Sequence, residues 1–133
     1  MKKLVLALAA LPLLAAPAAV SAKPKLTPEQ KLDKLLEGRV AGEPVSCISL
    51  SNTRDTQIID KTAIVYNSGS VIYVNRPKFA KSLDDDDIMV TETHGSQLCR
   101  MDVVKMHDRP GMWFRGFVSL EDFVPYRKVP KGS

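Results

Sequence analysis

The chain has 133 residues, with 19 Lys and Arg against 15 Asp and Glu and 44% apolar residues. That is one domain's worth of chain, and a net charge of +4 is too small to build the dense basic face of a nucleic-acid binder. Its seven glycines are scattered at turn-like positions and form no phosphate-binding loop, and no G-x-S-x-G elbow marks a nucleophilic serine.

Lys2 and Lys3 precede an apolar run from Leu4 to Ala16 that only Pro12 interrupts, and the stretch ends in Val20-Ser21-Ala22. A basic start, a short apolar run and a small-x-small end predict a secretory signal peptide over residues 1–22, cleaved after Ala22. The run is too short and too proline-broken to span a membrane, and no other apolar run approaches the ~20 residues needed. The expected mature protein is one periplasmic or secreted domain, residues 23–133, with its ordered core over 27–126. With Lys2 and Lys3 gone it carries 17 basic against 15 acidic residues, a net +2.

Thr27-Pro28-Glu29-Gln30 predicts a helix start, with Thr27 as N-cap, Pro28 in the first turn and Gln30 completing a capping box. Leu32, Leu35 and Leu36 recur at helical spacing, and Gly38 is the expected stop. After Pro44 the texture becomes β. Val45–Leu50 is a short strand containing Cys47, and Asn52–Asp55 reads as a turn before a short strand at Gln57–Asp60. Thr62–Tyr66 and Val71–Asn75 flank Asn67-Ser68-Gly69-Ser70, a hairpin signature. Lys78–Asp87 is a polar loop ending in four aspartates. Ile88–Thr93 alternates as a strand should. Gln97–His107 reads as one long strand whose apolar face switches near Asp102-Val103, which suggests a bulge. Arg127–Ser133 reads as a frayed tail. The fold expected is α+β, mainly antiparallel β: a short N-terminal helix on a small barrel or sandwich of five or six strands.

Cys47 and Cys99 are the only cysteines. In an exported chain they have an oxidising compartment and only each other, so a Cys47–Cys99 disulfide is expected. No C-x-x-C spacing favours a metal.

Arg115-Gly116-Phe117-Val118-Ser119-Leu120-Glu121-Asp122-Phe123-Val124 resembles the closing segment of an SH3-type barrel: a Gly-aromatic-Val strand, a one-turn helix capped by Ser119, then an aromatic-aliphatic pair. The resemblance implies a small open barrel and, in exported bacterial proteins, the holding of cell-wall peptides. On composition alone Phe117, Val118, Leu120 and Phe123 read as core. Small exported lysozyme inhibitors carry a Ser-Gly-x-x-Tyr loop. Ser68-Gly69-Ser70-Val71-Ile72-Tyr73 is similar to it but one residue longer.

Several constellations could carry chemistry. Asp84–Asp87 could offer oxygens to Ca²⁺, or pair with Arg54, Arg76 or Arg100, or simply be solvated. Met89, His94, Met101, Met106, His107 and Met112 are soft ligands of the kind Cu(I) takes, but they lack compact spacing and read better as core filler. No carboxylate pair stands out for acid–base work, so neither an enzyme nor a cofactor is expected. Trp113-Phe114-Arg115, beside the turn Arg109-Pro110-Gly111, is the expected contact surface, because aromatics and Arg dominate interface hot spots. The reading is a non-enzymatic binding or structural module of the bacterial cell envelope, its partner a protein or another envelope component. A metal-binding protein, a small hydrolase or a lysozyme-inhibitor-like protein are the alternatives. Intact-mass analysis of the protein recovered from the exported fraction should give Lys23–Ser133 less two hydrogens; a mass retaining residues 1–22 would remove the export assignment.

Overall fold

The computed structural model describes residues 9–17 and 23–131. The Lys2-Lys3 start and the Val20-Ser21-Ala22 site lie outside the described residues. Among the described residues no helix is long and apolar enough to cross a membrane.

Helix α1 covers Pro28–Leu35 and starts as the capping box requires. The Gln30 N–H donates to the Thr27 hydroxyl (3.2 Å) while the Thr27 N–H donates to the Gln30 side chain (2.9 Å). These bonds satisfy donors that a helix start otherwise leaves open. Gly38 follows with φ +73°, a conformation suited to glycine. Leu32 is buried, and Leu35 and Leu36 pack beside it.

Among the described residues ten short antiparallel strands follow, more than the five or six expected. They are β1 (Arg39–Ala41), β2 (Cys47–Ser49), β3 (Asp55–Ile59), β4 (Ala63–Asn67) and β5 (Val71–Asn75), then β6 (Ile88–Thr91), β7 (Gln97–Cys99), β8 (Val103–His107), β9 (Phe114–Ser119) and β10 (Phe123–Lys128). Five of them form one sheet in the order β1-β10-β5-β4-β3; β2 pairs β7, and β6-β8-β9 make a third sheet. The mainly β, α+β reading holds.

The large sheet is covered on both faces. Leu32 of the helix meets Ala63, Val65, Ile72 and Val74 on one side. On the other, Ile64, Tyr66 and Phe123 meet Ile48 and Leu98 of β2-β7 and Val104, Met106 and Val118 of the third sheet. This explains why β4 reads as a continuous apolar run: its two alternating sides face two cores. Phe123 is fully buried and meets Tyr66 edge to face at 5.6 Å.

Three local expectations change. Gln97–His107 is two strands in two sheets, separated by a tight turn at Arg100-Met101. The Asp102 carboxylate accepts from the Cys99 N–H (2.7 Å), and the Asp102 N–H donates to the Cys99 carbonyl (2.9 Å). The change of face read as a bulge is therefore a change of sheet. Ser119–Asp122 forms no one-turn helix; Ser119 ends β9 and Leu120–Asp122 is the link to β10, held because the Asn75 side chain bonds both Glu121 backbone groups (2.6 and 3.1 Å). Arg127 and Lys128 are not frayed, since β1 pairs with Tyr126–Lys128. β1 stops where Pro125 accepts from the Gly42 N–H (2.7 Å) but has no N–H to return.

Cys47 and Cys99 stand opposite each other in β2 and β7 and are disulfide-bonded across a sequence separation of 52. A three-residue ladder is weak by itself, so the covalent link holds the two strands of this small sheet together. Loop-closure entropy for such a span amounts to about 4 kcal/mol. Replacing both cysteines by Ala should cost about that much in urea unfolding of the oxidised protein; a loss below about 1 kcal/mol would mean the noncovalent core suffices.

Candidate functional site

The third sheet has one face in the core and one face open. Residues opposite each other in a ladder share a face, so Val104, Met106 and Val118 turn inward together. On the outward face β6 places Ile88 and Val90, β8 places Lys105 and His107, and β9 places Phe114 and Phe117. The Lys105 ammonium is drawn to Glu92 (2.6 Å) and holds that carboxyl below its usual range.

Phe114 and Phe117 are three residues apart and would point to opposite faces of a regular strand. They share a face because β9 is bulged. Phe114 stands opposite His107 and Gly116 opposite Met106, so Arg115 has no counterpart on β8. Gly116 has φ +136°, which side-chain-bearing residues rarely adopt. The two rings then meet at 4.9 Å with a 64° interplanar angle, and His107 stands 5.8 Å from Phe114.

Trp113 precedes Phe114 at the end of the turn. Asp108 closes that turn: its carboxylate accepts from the Trp113 N–H (2.7 Å), and its N–H donates to the Trp113 carbonyl (2.9 Å). The indole lies over Gly111, where any Cβ would run into the ring. Trp113 is 74% exposed, Phe117 61% and Phe114 53%, and Met112 and Val103 are also exposed. β9 is an edge strand of its sheet.

Trp113 is exposed next to Phe114 in the chain, and Phe114 pairs with Phe117, a residue that composition alone assigns to the core. Its signal was Gly116, the residue that permits the bulge. Arg115 does not join them. The bulge turns it to the acidic loop, where its guanidinium lies 3.5 Å from Asp87 and 3.7 Å from Asp84. The acidic run therefore pairs with Arg115, while Arg76 pairs with Glu29 and Arg100 with Asp122.

Asp87 is buried, with one oxygen unpartnered, and desolvation pushes its carboxyl up from the ordinary value. Oxygens of Asp60, Asp84 and Asp85 lie within 4.8 Å of one another, a convergence the sequence does not reveal because Asp60 comes from the β3–β4 turn. The Lys61 N–H donates to the Leu83 carbonyl (3.0 Å) and fastens that turn to the acidic loop. Three oxygens fall short of the six to eight that Ca²⁺ takes. Lys61, Lys81 and Arg115 line the same hollow as Asp60, Asp84 and Asp87, so protein cations balance the charge.

The methionines and histidines separate. Met106 is in the core with Met89 beside it; Met101 is exposed on the turn after β7, and the His107 ring bonds the Met112 carbonyl (3.1 Å).

Gly116→Val should cost on the order of 1–3 kcal/mol in urea unfolding, because valine is strained at that φ. Trp113→Ala, a truncation of an exposed side chain, should stay within about 0.5 kcal/mol of wild type. A Trp113→Ala loss above 2 kcal/mol would make Trp113 a core residue instead. Comparison with protein-family models, curated proteins and solved structures finds no match to this chain.

Proposed function

We propose that this chain is a small exported module of the bacterial cell envelope that works by binding, without catalysis, through the outer face of the β6-β8-β9 sheet. The observation that carries this reading is the exposed Phe114–Phe117 pair, with exposed Trp113 beside it in the chain. Leaving three neighbouring aromatic side chains in water forgoes burial worth roughly 1.5–3 kcal/mol for a Phe-sized group. Contiguous apolar patches of this kind mark contact sites, and aromatics and Met are enriched where proteins meet. The edge position of β9 adds unpaired backbone donors and acceptors beside the rings, which an extended segment of a partner can use.

Export is supported by the basic-apolar-small pattern of residues 1–22 and by the Cys47–Cys99 disulfide, which needs an oxidising compartment to persist. The partner is a protein or another envelope component. The charge on Arg115 is occupied by Asp84 and Asp87, so recognition rests on shape and apolar contact rather than on that guanidinium.

A photo-crosslinking residue placed at Phe117 in living cells should give a discrete adduct that Trp113→Ala removes. The same probe at the exposed Gln57 of β3 should give none. Equal labelling from both positions, or no adduct at either, would show that the aromatic face is not the binding surface.

A further inference from the structure

A second hollow lies away from the aromatic strand, between the end of β2, the 51–54 turn and the β4–β5 hairpin. Its volume is about 380 Å³, and its walls include Ser49, Asn52, Arg54, Ser68, Ser70 and Tyr73. That volume falls in the range of small-ligand sites, roughly 300–1,000 Å³. No acidic residue lines it.

Arg54 is the one charged group in this wall. Its guanidinium makes no ion pair among the described residues, whereas Arg76, Arg100 and Arg115 each have a carboxylate. Arg54 is exposed, and its backbone N–H donates to the Asn67 carbonyl (2.8 Å), which fixes its backbone to the hairpin. The guanidinium then lies across Gly69, where a Cβ would sit 3.3 Å from its central carbon. Gly69 has φ +83° and donates its N–H to the Asn67 side chain (2.9 Å). One glycine thus serves both the turn and the close approach of the cation.

The remaining groups are neutral hydrogen-bonding partners. The Ser68 hydroxyl is shut from solvent with no hydrogen-bond partner, an uncommon state for a buried polar atom. The Ser49 and Ser51 hydroxyls bond each other (2.8 Å). Tyr73 packs partly on the main core, so its ring is held in place.

From this arrangement we propose that the Arg54 hollow binds a carboxylate-bearing sugar. A planar guanidinium presents forked donors that match a carboxylate. The hydroxyls of the exposed Ser51 and Ser70 and the amide of the exposed Asn52 both donate and accept, as sugar hydroxyls require. The single positive charge matches a carboxylate rather than a doubly charged phosphate, for which no second cation or helix end is at hand. This site is independent of the aromatic face and of the partner that face would hold.

The test is amide-detected NMR titration of the full oxidised domain with glucuronate, glucose and acetate as probes. Glucuronate should shift Arg54, Ser68 and Gly69 saturably, with glucose and acetate at least tenfold weaker. Arg54→Gln should weaken glucuronate at least tenfold while leaving signals elsewhere unmoved, and Arg54→Lys should fall between. Acetate binding as well as glucuronate would reduce the site to a simple anion contact. Glucose binding equally well would remove the role of the carboxylate. No saturable shift, or unchanged affinity in Arg54→Gln, would overturn the proposal.

Discussion

The extra residue in β9 is the constraint on which the surface of this domain depends. With β9 regular, Phe117 would share a face with Arg115 and oppose Phe114. With Arg115 left unpaired against β8, Phe114 and Phe117 stand side by side outside while Val118 still reaches the core. The same irregularity sends Arg115 to Asp84 and Asp87, so one backbone feature separates an apolar face from a charged loop. Gly116, at φ +136°, makes that feature affordable.

The rest of the fold holds this strand in place. The five-stranded sheet is buried on both sides, by the capped helix and by the two small sheets. Those small sheets have three residues per strand in one case and four to six in the other, too little ladder to stand alone. The disulfide fastens β2 to β7, and Asn75 fastens the β9–β10 link through both Glu121 backbone groups. The inward side of β8 and β9 is thereby fixed on Phe123 and its neighbours, and the outward side is left in water.

Features with local causes were legible in the sequence. The capping box at Thr27–Gln30, the hairpin around Gly69 and the cysteine pairing each follow from a few neighbouring residues or from simple elimination. Features that depend on remote pairing were not. Nothing near Arg39–Ala41 announces a strand, because β1 exists only by lying along Tyr126–Lys128. Pro125 argues against an interior strand, yet β10 lies between β1 and β5. Cys99–Asp102 reads as a continuation of a strand, because Cys99-Arg100-Met101-Asp102 alternates apolar and polar residues as a strand would. In the candidate site, Trp113 and Phe114 were visible as residue types. Phe117 was hidden because composition places it with the core, and its pairing with Phe114 needs the bulge to be known. Asp60 joins the acidic group only through the Lys61–Leu83 backbone bond, which no local pattern encodes.

The central claim is that the bulge pairs Phe114 with Phe117 on an open face. The most direct measurement is proton NMR of the oxidised domain with a soluble gadolinium chelate. The bulged arrangement predicts cross-peaks between the two phenylalanine rings and strong broadening of both, together with Trp113. A Phe117 ring shielded from the chelate, with cross-peaks to Val104 and Val118 instead, would contradict it.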